Sequence, residues 1–148
     1  MAETETQKDR RQLFNEKMRH GELVVFLNNM METYYEHKDV HSGPIAIYKA
    51  LVNFIEKIRR DNSLFNDMES TVNLLGDNLI TRFREQCPEL KIRDIKLFTY
   101  IVIRFSPISI GVVLGKTPEQ IYRMKYKLKH KIMDSSASDK EIFLKYMK

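Results

Sequence analysis

Apolar positions recur along this chain at intervals of three and four between polar residues, the spacing of one face of an α-helix. Leu13, Phe14, Leu23, Val24, Phe26, Leu27, Met30, Met31, Tyr34 and Tyr35 predict a long helix over about 12–37, with Gly21 as its weak point. His41-Ser42-Gly43-Pro44 then breaks the pattern by turn chemistry. Ile45, Tyr48, Leu51, Val52, Ile55 and Ile58 line a second helix over 45–60, with Arg59 and Arg60 in the last turn, where cations complement the helix dipole. Phe65, Met68, Val72, Leu75 and Leu79 alternate by three and four, two heptads of a coiled-coil-like seam. They predict a third helix over 63–86, with Ser63 as its cap and Pro88 as its stop. So short a seam suits packing within one chain and pairing between two chains alike.

From Leu90 onward the elements shorten and their start signals sharpen. Ile92, Ile95, Leu97, Phe98, Ile101 and Val102 mark a helix to about Ile103. Ser106-Pro107 sets a capping hydroxyl before a first-turn proline, which opens a helix over about 107–114 that Gly115 ends. Thr117-Pro118-Glu119-Gln120 repeats the device with Gln at the reciprocal capping-box position and starts a helix to about Ile132. Ser138-Asp139-Lys140-Glu141 reads as a further capping box, opening a terminal helix.

Composition agrees with the helical pattern. Five Gly, four Pro and no Trp are few turn and strand residues for 148 positions, so an all-α fold is expected, with long N-terminal helices followed by a helix-turn-helix bundle. Two regions follow: 1–86 as a helical dimerisation arm, and 87–148 as the bundle with its terminal helix. Cys87 is the single cysteine, which excludes an internal disulfide and suits a reducing, cytoplasmic setting. Met1 to Arg11 lacks the apolar stretch of a secretory signal, and nowhere do about 18 apolar residues run together, so no membrane span is expected in this chain.

Charge locates the candidate chemistry. Residues 1–86 hold 12 Lys/Arg against 14 Asp/Glu, residues 133–148 hold 3 against 3, and residues 87–132 hold 10 against 3. The excess concentrates further between Lys116 and Lys131, with six cations, one acid and two tyrosines. On a helical wheel Ile121, Met124, Leu128 and Ile132 form an apolar stripe joined by Lys125, while Glu119, Arg123, Tyr126, Lys127 and His130 fall opposite. Tyr122 and Lys129 flank one edge and Lys131 the other. A face of one sign, left without compensating acids, suits a polyanion.

Phe105 to Leu114, Thr117, Gln120-Ile121, Leu128 and Lys131-Ile132 resemble the C-terminal helix-turn-helix of bacterial LuxR/GerE-type transcription regulators, and are similar to region four of sigma factors. Val72 to Asn78, Phe83 to Leu90 and Ser138 to Leu144 extend the resemblance to the ends of long bacterial regulators, in which tetratricopeptide repeats, often with a membrane span, precede this domain. The resemblance implies a DNA-binding transcription regulator or its C-terminal part, acting as a homodimer. Lys116, Lys125, Lys127, Lys129 and Lys131 would meet phosphates, Arg123, Tyr122 and Tyr126 would approach base edges, and Thr117 and His130 complete the interface. The sequence departs from the family pattern at Tyr122 and Tyr126, at Gly111 in place of the usual Ala, and at Gly115-Lys116 in place of a more apolar turn. The rival reading is a helical interaction or dimerisation module whose degenerate helix-turn-helix binds no DNA.

Other motifs carry less. Gly111 to Thr117 has three bulky residues between its glycines, where a phosphate-binding loop has four. His37 and His41 are four apart, but Ser42-Gly43-Pro44 ends the helix there, so a surface pair is expected and no metal site. Cys87 lies in no nucleophile motif, and Asp77 and Glu85 form an ordinary polar pair. No catalytic residue, metal or cofactor is expected.

Overall fold

The computed structural model describes residue 9 and residues 24–25, 27–36 and 45–148. Among these residues the fold is all-α, without strands. Helix α1 covers 27–36. It is followed by α2 (Ile45–Arg60), α3 (Ser63–Leu75), α4 (Leu79–Gln86), α5 (Ile92–Ile103), α6 (Pro107–Leu114), α7 (Pro118–Asp134) and α8 (Lys140–Tyr146). The start of the expected 12–37 helix, the turn at 41–44 and the His37/His41 pair lie outside the described residues.

The expected single helix over 63–86 is two. Asp77 and Asn78 both take the left-handed conformation, at φ 56° and 57°, which short polar side chains tolerate better than most. Asn73, one turn from the end of α3, then caps the new start: its Oδ1 accepts the amides of Ile80 at 2.8 Å and Thr81 at 3.2 Å. Glu69 on α3 holds Arg84 on α4 through two oxygens, at 2.7 and 3.2 Å. Asp77 therefore shares no helix with Glu85. Ser63 does not cap α3 either; its amide donates to Asp61 Oδ1 at 2.9 Å.

One continuous core joins both halves of the chain. Phe65, Met68 and Val72 turn inward, and α3 packs on α5 and α4, so most of the coiled-coil-like seam is consumed within the chain. Phe83 of α4, Phe98 of α5 and Phe143 of α8 form an aromatic knot, with Phe83 and Phe98 stacked at 3.9 Å between ring centroids and Phe143 edge-on to both. Helix α6 is apolar nearly all round and is enclosed accordingly, with Ser109, Ile110, Gly111, Val112 and Val113 all buried.

Both ends of α6 are tied to the N-terminal helices. At its start Ser106 Oγ accepts the Ser109 amide at 3.1 Å, as expected of the cap. Asn28 of α1 reaches the same place, its Oδ1 accepting the Ser106 amide and the Ser109 hydroxyl. At its end Arg59 of α2 donates to the Val112 carbonyl at 2.6 Å, satisfying an acceptor that a helix C-terminus leaves open. The predicted dipole role of Arg59 thus falls on a neighbouring helix.

Candidate nucleic-acid interface

Helix α7 is positioned by its start, its buried stripe and the turn before it. Thr117 Oγ1 accepts the Gln120 amide at 3.2 Å and Gln120 Oε1 accepts the Thr117 amide at 2.9 Å, the reciprocal box read from the sequence. Ile121, Leu128 and Ile132 are at most 1% exposed, each burial contributing about 1.5–3 kcal/mol. Gly115 supplies the left-handed step after α6, at φ 69°, and the Lys116 amide returns to the Gly111 carbonyl at 2.8 Å.

That packing aims the remaining residues outward. Tyr122 and Tyr126 are 60% and 66% exposed, large for rings with no structural need to face water. Arg123, Lys127, Lys129 and His130 are exposed beside them, and Lys116 is half-buried in the turn. The Tyr126 and His130 rings meet at a tilt of 58°, with centroids 4.3 Å apart, beside a shallow depression that Lys127, Lys131 and Asp134 also line. No ion pair among the described residues involves Lys116, Arg123, Lys127 or Lys129.

Three of the sequence-selected residues stand apart from this set. Lys131 is paired with Asp94 at 3.2 Å, and the same Asp94 oxygen accepts the Lys91 amide at the start of α5. Lys131 thus helps hold α7 to α5. Lys125 is half-buried at the opposite edge, in a cleft shared with α5 and α8. The Thr117 hydroxyl oxygen is engaged in the cap, which leaves its hydrogen as the only donor for a ligand.

Sequence reasoning missed Arg104, Lys145 and Lys148, which line the cleft with Lys125. Arg104 lies between helices, and the two lysines sit in a segment whose charges balance, so neither signal singled them out. Cys87 is buried. Burial pushes its thiol pKa up, against a hydrogen bond from Ser135 and with a smaller upward push from Glu89, which makes it a poor nucleophile. Among the described residues no cluster of three or more His, Cys, Asp or Glu is placed to hold a metal, and no helix is long and apolar enough to cross a membrane.

No protein-family model matches the chain, and no curated protein or solved structure matches it either. Among the described residues the architecture is an all-α fold in which α7 presents a basic, tyrosine-bearing face.

Proposed function

We propose that the chain is a DNA-binding transcription regulator, or the C-terminal part of one, in which α6 and α7 form a helix-turn-helix and α7 lies in the major groove. The observation that carries this reading is the outward face of α7, where Arg123, Lys127 and Lys129 stand exposed without carboxylate partners among the described residues. The capped turn and the apolar stripe support it by fixing which face α7 presents. In this reading Lys116, Lys127 and Lys129 neutralise phosphates, while Arg123 and the two tyrosines approach the bases. The resemblance to LuxR/GerE-type regulators adds a cytoplasmic, bacterial setting and a homodimer with 1–86 as its arm.

A fluorescence titration with duplex DNA at several salt concentrations tests it. With Lys131 paired and Lys125 turned aside, four cations remain, and log affinity should fall against log salt with a slope of about −3 to −4. Lys127→Ala should flatten that slope by about one unit. Arg123→Ala should cost about 1–3 kcal/mol at a preferred site and relax specificity there.

The exposure of Tyr122 and Tyr126 favours the second reading, an interaction module, because tyrosine is enriched at protein interfaces and reads base edges poorly. Absence of duplex binding at about 50 mM salt, where phosphate contacts are strong, would decide for that module.

A further inference from the structure

The cleft beside α7 has a chemistry of its own. It encloses about 300 Å³ between the end of α5, the start of α6, α7 and the end of α8. Its accessible apolar wall is Ile101, Val102, Pro107 and Tyr146, backed by the buried Phe105, Ile110 and Ile121, and its cations are Arg104, Lys125, Lys145 and Lys148. No acidic side chain lines it. Elsewhere Arg82, Arg84 and Lys131 each have a carboxylate, whereas none of these four joins an ion pair among the described residues. Like charges gathered at one cavity repel one another, and a bound anion would relieve that repulsion.

The backbone gives a second, independent sign. Arg104 closes α5 at φ 77°, a conformation that favours glycine. The Phe105 amide donates to the Tyr100 carbonyl at 3.0 Å and the Arg104 amide to Ile101 at 3.0 Å, while the Tyr100 and Phe105 rings stack. This is a complete Schellman ending with a long cation at its left-handed position. Such strain persists where the surroundings impose it and clusters at ligand sites.

We propose that this cleft binds an amphipathic organic anion: a phosphate or carboxylate group carried on an apolar body of about six carbons, given that each water-sized group fills about 30 Å³. The anion meets Arg104, Lys125 and Lys145, and the body lies against Ile101, Val102, Pro107 and Tyr146, the apolar lining residues that keep accessible surface. Lys125 serves both parts, its stem extending the apolar wall and its ammonium reaching the rim. Each buried methylene strengthens binding about fourfold. The site does not depend on whether α7 meets DNA.

Isothermal titration of the full chain with hexyl phosphate, inorganic phosphate and hexan-1-ol tests it. Hexyl phosphate should bind at one site, at least about tenfold more tightly than either half of its chemistry. Lys125→Met and Lys145→Met keep the stem and remove the charge; each should weaken binding about tenfold, with the circular dichroism spectrum and melting unchanged. Lys57→Met on α2 should have no effect. Equal binding of inorganic phosphate, several weak sites, or indifference to both cleft variants would overturn the proposal. So would loss of duplex affinity in those variants without any hexyl phosphate binding, which would assign the cations to a nucleic-acid backbone.

Discussion

Gly111 and Gly115 bracket one turn and are glycines for different reasons. A Cβ on Gly111 would stand 2.5 Å from the Lys116 carbonyl oxygen, backbone against backbone, so the turn into α7 closes only over a hydrogen. A Cβ on Gly115 would meet nothing within 4 Å, and the residue matters for its positive φ alone. Gly111→Ala should therefore cost about 1–3 kcal/mol through forced displacement, and Gly115→Ala about 1 kcal/mol through backbone strain. Urea unfolding of the two variants checks the order, and an equal or reversed loss would show that the turn yields. Gly111, a departure from the LuxR/GerE pattern on sequence grounds, has a steric reason in this fold.

Among the elements, α8 shows how a correct boundary can rest on a different interaction. The sequence places its start near Ser138-Asp139, but the Asp139 side chain makes no cap. It accepts from Gln86 Nε2 and Arg82 Nη1 instead, each at 2.7 Å, and its amide donates back to Gln86 Oε1 at 2.8 Å. The Gln86 hydrogen bond, then Arg82, holds the Asp139 pKa below its ordinary value against partial desolvation. A depressed carboxylate pKa contributes stability that is present above the unfolded-state value and is lost as pH falls through the folded one. The stability difference between the wild type and Asp139→Asn should therefore narrow as pH is lowered through that range, as chemical denaturation at stepped pH would record. A constant difference would refute the role of charge. Helices α2, α5, α6 and α7 were legible to within about two residues, the usual uncertainty of helix ends, because caps and periodicity agree there. The α3/α4 break was hidden because the three-four spacing from Phe65 to Leu79 continues straight across Gly76-Asp77-Asn78. Asn73, which makes the break stable, acts from a helix interior, where sequence gives no sign of a cap.

For the molecule as a whole, the core crosses the boundary at 86/87 without a gap, with α2 on α6 and α3 on α5. The outward face of α7 was legible because it needs only one helix and its wheel. The cleft was not, because its cations come from three segments that only the tertiary fold brings together. Assembly is affected as well. With Phe65, Met68 and Val72 buried, α3 offers Leu74, 66% exposed, and the described residues ahead of α1 offer Val25, 60% exposed, to a second copy. The proposed homodimer would bury these two, and light scattering should give twice the chain mass at micromolar concentration, with Leu74→Lys returning it to the mass of one chain. A single-chain mass for the unsubstituted protein would rule out that assembly.

Arg104 sets stability against selection for function. Glycine at that position would release about 1 kcal/mol of left-handed backbone strain and raise the melting temperature by roughly 2–5 °C. A lineage screened for thermal robustness alone would drift toward that substitution. Arg104→Gly should accordingly melt higher and bind hexyl phosphate less well, the pairing expected of a residue retained for what it holds. If the variant melts higher and binds equally well, the arginine is a cost with no return.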